Sequence, residues 1–148
     1  MKHENNCSCC RCCNPELADA KEKLSLKEYG WFAHYVTDDD SYPYGVNYHT
    51  HGIKENFNHS DFQIVFPIDP EVSHMILFNL INKIGHEKKT FEADKKYSKI
   101  LGNDYLLTFI EVKEGNRKVL RLIVPGKDGE LDEDKIHLNF KKQYRSND

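Results

Sequence analysis

Cysteine is missing from the whole of the chain after position 13: all five thiols fall in the stretch CSCCRCC, residues 7–13. A disulfide framework running through the fold is thereby excluded, and an odd number of thiols in one short run is a poor basis for paired cystines. Covalent staples are not needed in any case, because 148 residues suffice to bury one core. An excess of charge of either sign is also lacking. Lys plus Arg number 21 against 24 Asp plus Glu, a formal net charge of -3, and the two signs are mixed along the chain, which gives no footprint for nucleic acid. No apolar run approaches the roughly 18–20 residues of a bilayer span, and MKHENN leads into cysteines rather than an apolar signal region. A cytoplasmic protein with no membrane partner is expected. The familiar catalytic signatures are absent too: there is no Gly-x-Ser-x-Gly, Walker loop, His-Glu-x-x-His or dinucleotide fingerprint. Nucleophilic hydrolase, NTPase, zincin and Rossmann chemistry therefore lose their support.

What is present reads as an α+β fold. Asn14-Pro15-Glu16 carries a helix start, with Asn as cap, Pro at the first helical position and an acid at the positive end of the dipole. Leu17, Ala20 and Leu24 follow at helical spacing and Gly30 offers a C-cap, so a helix over about 15–28 comes directly after the cysteine run. WFAHYV (31–36) and YGVNYHTH (44–51) are aromatic and β-branched and flank the acidic turn DDDSYP, which predicts a hairpin. FQIVFPI (62–68) alternates as a strand. Asp69-Pro70-Glu71 repeats the cap-and-proline start, and Val72, Met75, Ile76, Leu80 and Ile84 form a helical stripe ending at Gly85. A short turn of helix is expected near 95–100. YLLTFIEV (105–112) and VLRLIVP (119–125) flank Glu114-Gly115-Asn116-Arg117 as a second hairpin, leaving a polar tail in which only Ile136, Leu138 and Phe140 alternate. The expected architecture is a mostly antiparallel sheet of about five strands packed by one long and one short helix. Residues 14–148 form a single domain and 1–13 a cysteine-rich N-terminal segment.

The thiols come first among chemical candidates. Cys7-x-Cys9-x-x-Cys12 and Cys10-x-x-Cys13 are spacings that wrap a small cation, and zinc takes four tetrahedral nitrogen or sulfur ligands, two of which Cys-x-x-Cys supplies from one turn. A tetrathiolate from so short a run would strain the backbone, so a donor from elsewhere is expected. Zinc is the expected cofactor, with Cu(I) its chemical competitor for soft sulfur. The best remote donors are His49 and His51. A strand's period of two places Asn47, His49 and His51 on one face and Tyr44, Val46 and Tyr48 on the other, and neutral imidazole is a common metal ligand. The plainer alternative is a pair of solvated strand-end histidines. His59 either joins them across a loop or bonds the turn at Ser60-Asp61. His34 reads as a hydrogen-bonded sheet histidine rather than a ligand.

The aromatic content of the first hairpin suggests a different site. Trp31, Tyr44 and Tyr48, with Asn47 and His59 added as polar candidates, could floor a pocket for a planar ligand such as a nucleotide base. Against this, aromatics in adjacent strands pair across a sheet and fill its core.

Several of these elements occur together in one known pattern. Tyr29-Gly30-Trp31, the strand from Tyr44, His59-Ser60-Asp61, Pro70-Glu71, and Phe91-Glu92 with Tyr97 follow one another in an order that resembles the family called domain of unknown function 4262, found in bacteria and phages; the likeness runs over about 29–125. The chain departs from the pattern at His51-Gly52-Ile53 and at Asn58-His59-Ser60-Asp61. The resemblance implies a fold and leaves the activity open. Three functional readings follow. The first is a small metal-binding domain in which CSCCRCC folds back onto a histidine donor. The second is a module that binds a small molecule, a nucleotide or a protein partner, in the manner of a phage or bacterial-defence accessory. The third is a metal-dependent hydrolase with three protein ligands, an open water position and Asp61 or Glu55 as general base.

Overall fold

The structure, a computed structural model, describes residues 15–102 and 104–145; Asn14 and the cysteines at 7–13 lie outside the described residues. Helix α1 (Pro15–Tyr29) ends where Gly30 takes φ 85° and its N–H bonds the Leu26 carbonyl at 3.0 Å, a left-handed cap that glycine accepts without a Cβ penalty. Strands β1 (Phe32–Val36) and β2 (Asn47–His51) pair antiparallel. A short helix α2 (Ile53–Phe57) leads into β3 (Asp61–Ile64), and the main helix α3 (Pro70–Glu87) follows. Then come β4 (Lys96–Tyr97), the hairpin of β5 (Leu107–Glu114) and β6 (Arg117–Ile123), helix α4 (Leu138–Lys141) and a 3-10 turn, Lys142–Tyr144.

The strands form one sheet in the order β1-β2-β3-β6-β5-β4, in which β3 and β6 run parallel and the other pairs are antiparallel. The α+β class is as expected. Helix α3 is built by the expected cap: the Asp69 side chain accepts from the Glu71 N–H at 2.8 Å and Pro70 occupies the first turn. Its buried positions, Ser73, Ile76, Leu77, Leu80, Ile81 and Ile84, fall on one stripe. That stripe packs on Phe62, Ile64, Leu107, Phe109, Leu120 and Leu122 from the sheet to make the core. The helix passes through Gly85, which lies beside the Phe57 ring, to Glu87.

Further details differ from expectation, each for a local reason. The sheet has six strands, the extra one being β4, where a helical turn was expected. Thr108 Oγ1 donates to the Lys95 carbonyl at 2.8 Å and the Tyr97 ring packs on Phe91 and Phe109, which draws this stretch along β5. Strand β2 starts at Asn47 rather than Tyr44, because turns closed by Tyr42 N–H to Asp39 O and Gly45 N–H to Tyr42 O carry Tyr44 out of the sheet. Strand β3 stops at Ile64, ahead of Pro67, which has no N–H for a ladder. The polar tail carries α4 and the 3-10 turn, tied just past the end of β6, where the Gln143 amide accepts from the Val124 N–H at 2.7 Å and donates to the Val124 carbonyl at 2.9 Å. Among the described residues no helix is long and apolar enough to cross a membrane.

Candidate metal centre

The antiparallel register of the first hairpin sets His34 directly opposite His49 and Phe32 opposite His51. His34, His49 and His51 therefore share the face of the sheet turned away from Tyr35 and Tyr48, which belong to the core side. One nitrogen from each of the three imidazoles lies within 4.8 Å of the other two. The rings meet edge-on, with centroids 4.9 Å apart for His49 and His51, 5.0 Å for His34 and His51, and 5.3 Å for His34 and His49. A zinc–nitrogen bond of about 2.0–2.1 Å puts a ring centroid roughly 3.2 Å from the ion, and tetrahedral angles then separate centroids by roughly 5.2 Å. The rings thus already stand at the spacing a shared ion requires. Ligand nitrogens on such an ion lie roughly 3.3 Å apart, so closing on it takes rotation of the rings rather than movement of the strands.

Edge-on aromatic packing alone tolerates the same centroid spacing. What packing does not explain is the polarity: His49 is 8% exposed, and its Nδ1 is buried with no hydrogen-bond partner. Buried polar atoms are rarely left in that condition. Glu114 Oε2 stands 3.6 Å from it, beyond hydrogen-bond range. His34 has a close partner, donating from Nε2 to the Glu22 carboxylate on helix α1. Two of the three rings thus have a carboxylate beside them, as metal-bound imidazoles usually do.

Glu114, the last residue of β5, is itself fixed. Its Oε2 accepts from Gln63 Nε2 at 2.9 Å and Asn47 Nδ2 at 3.3 Å, and its Oε1 from Arg117 Nη2 at 2.7 Å. Gln63 in turn accepts from Arg121 Nε at 2.7 Å, and Arg121 is fully buried, bonding the Gln143 and Arg145 carbonyls as well. Asp61 accepts from Thr50 Oγ1 at 2.8 Å and from the Ile53 and Lys54 N–H groups at 3.1 and 3.3 Å, with Arg117 3.5 Å away.

Burial controls the protonation of His49 and His51. It pushes His49 down to about 4 against the opposing pull of Glu114, and pushes His51 down to about 4 with Arg117 and His34 adding to the effect. Both rings are neutral at pH 7, the form that binds metal. Burial opposes ionisation of Glu114, but His49, the Arg117 guanidinium and the Asn47 amide outweigh it and hold the carboxyl below its usual range. For Asp61 burial prevails and raises the carboxyl in spite of its hydrogen bonds.

The residues singled out from sequence are thus divided. His49 and His51 come together, and His34, read above as a sheet histidine, stands with them. The parity of the hairpin carried the signal, since in both strands the histidines alternate with aromatics that enter the core. Cys7, Cys9, Cys10, Cys12 and Cys13 lie outside the described residues. His59 is elsewhere and satisfied: its Nε2 accepts from the Phe91 N–H and its Nδ1 donates to the Ser60 carbonyl, both at 2.9 Å. The proposed aromatic platform is not assembled. Trp31 is in the core, stacked on His74, and Tyr48 is buried with its hydroxyl on the Ile68 carbonyl. Tyr44 lines a separate cavity of about 650 Å³ in the 37–46 loop and donates to the Asn139 carbonyl, while Asn47 faces Glu114. Glu22 and Glu114 escaped sequence reasoning, because each meets its histidine only through tertiary structure.

Residues 25–128 match the family described as a domain of unknown function, DUF4262. No curated protein and no solved structure matches the chain. The family match spans the sheet, its main helix and all three clustered histidines, and the chain belongs to the DUF4262 family.

Proposed function

We propose that this domain binds a divalent metal ion, zinc first among the candidates, on His34, His49 and His51. The observation that carries the reading is the convergence of three imidazole nitrogens within 4.8 Å on adjacent strands. The buried, unpartnered His49 Nδ1 supports it: leaving such an atom unsatisfied costs about 1–3 kcal/mol, and a cation on Nε2 would strengthen Nδ1–H as a donor toward Glu114, 3.6 Å away. Imidazole donors also suit copper, nickel and iron, and zinc leads because three imidazole nitrogens and one further position make its usual tetrahedron. The fourth position is filled by water, by a carboxylate, or by a thiolate of the 7–13 segment.

A hydrolase with this ligand set would need a base beside the bound water. Asp61 and Glu114 are tied up in hydrogen bonds to their neighbours, and Glu55 is exposed on α2. These commitments favour binding over hydrolysis. Titration of the metal-free protein with zinc in the presence of a chromophoric chelator tests the reading. One equivalent is expected to bind, and His34→Ala, His49→Ala and His51→Ala are each expected to weaken it by a factor of ten or more. Equal affinity in the parent and all three variants would refute it.

A further inference from the structure

Helix α1 lies along the edge strand β1. Glu22 reaches His34, Ser25 Oγ donates to the Trp31 carbonyl, and Leu26 sits over Gly52, where a Cβ would come within 2.7 Å of it. Leu17, Leu24 and Tyr29 on the same helix are exposed, so these described residues of α1 give the core little apolar surface. Of the contacts that α1 makes, one ends on a metal-ligand candidate.

We propose that Glu22 is a positioning residue through which the metal centre controls the docking of helix α1. The inference rests on the metal-binding reading and adds to it a regulated element. Among the described residues the group of mutually close donors is the three imidazoles alone, so Glu22 acts from outside it. By accepting the Nε2 proton of His34, Glu22 fixes the tautomer and leaves Nδ1 with the free lone pair. It also fixes the plane of the ring. Because Glu22 stands on α1, twelve residues before His34, the orientation of that ligand depends on where the helix sits. The dependence runs the other way as well. A cation bound to one nitrogen of an imidazole makes the N–H on the other a stronger donor, so the charge-assisted bond to Glu22 tightens when metal is present. Linkage requires both effects to have the same size: the factor by which a docked α1 raises metal affinity is the factor by which metal favours docking.

The helix supplies its own reporter, since Lys21, Lys23 and Lys27 are exposed on it and trypsin cleaves after them when it opens. The full chain and its Glu22→Ala, Glu22→Gln, His34→Ala and Glu28→Ala variants are digested with and without saturating zinc, after zinc affinity has been measured for each. Zinc is expected to slow cleavage after these lysines about tenfold or more in the parent and in Glu28→Ala, an exposed position on the same helix. Glu22→Ala is expected to lose zinc affinity by about tenfold, within the range for removal of an outer carboxylate, and to lose the protection. Glu22→Gln, which still accepts from Nε2 without a charge, recovers part of both. Protection that persists in His34→Ala would place its source away from the triad and overturn the proposal, as would parent-like affinity and protection in Glu22→Ala, or bound zinc with no effect on cleavage in the parent. A flat zinc titration of the parent overturns the metal-binding reading itself and is seen before any digestion.

Discussion

Replacing His49 with leucine should stabilise the metal-free protein, an unusual outcome for a residue this buried. Removal of the unpartnered Nδ1 returns about 1–3 kcal/mol. The edge-on contacts with His34 and His51 are lost at roughly 0.5–1.5 kcal/mol, leaving a net gain of about 1 kcal/mol at pH 7.5. Acid enlarges the difference. The His49 ring has an ordinary value of 6.5 and is held down to about 4 by burial, so between those values the unfolded chain takes up a proton that the folded one refuses. The stability tied to this group is present above pH 6.5 and is lost as the pH falls toward 4. At pH 5 the parent has given up about 2 kcal/mol through His49, which the leucine variant cannot lose, and the gap widens to about 3 kcal/mol. Urea unfolding in EDTA at pH 7.5 and pH 5 measures both quantities. Saturating zinc should reverse the order, since an ion at a hundred times its dissociation constant adds about 2.7 kcal/mol to the parent alone. A leucine variant less stable than the parent at both pH values, with no widening of the gap, would refute the reasoning.

Three further expectations concern the frame that holds the site. His59→Ala leaves the buried Phe91 N–H without its acceptor and should cost about 2 kcal/mol in urea unfolding while leaving zinc affinity unchanged; a matching loss of zinc would make His59 part of the site. Gly52→Ala combines φ 99° with a Cβ only 2.6 Å from the Gly30 carbonyl oxygen, and should lower stability by about 2 kcal/mol or more, visible as a drop in Tm. Arg121→Met strips donors from Gln63 and from the Gln143 and Arg145 carbonyls and should cost about 2–4 kcal/mol. In that variant amide exchange should quicken first in the C-terminal segment that Gln143 anchors.

The parts of the fold that sequence made legible are those governed by local rules. Asp69-Pro70 and the stripe through Ile76, Leu80 and Ile84 specify α3 within a few residues. Gly115-Asn116 specifies the tight turn between β5 and β6, with Gly115 at φ 61°. The period of two puts His49 and His51 on one face without further help. His34 is different, because its meeting with them depends on the register of the first hairpin, and the 37–46 loop between the strands is too irregular for periodicity to fix that register. The parallel pairing of β3 with β6 is likewise set by packing, since nothing local in DFQI or RKVLRLI distinguishes it. Glu22 and Glu114 reach the histidines from α1 and from the end of β5. Such convergence of distant polar groups leaves no trace in spacing.

The most direct test of the account is a count of metal in a variant with Cys7, Cys9, Cys10, Cys12 and Cys13 all changed to Ser, purified without an affinity metal, loaded with zinc, desalted and analysed by native mass spectrometry beside the same variant carrying His34→Ala. With the thiols removed, the imidazole centre is the group of mutually close donors left among the described residues. One zinc per chain is expected in the first protein and none in the second. A first protein that holds no zinc, or a second that holds as much as the first, would contradict the metal-binding reading.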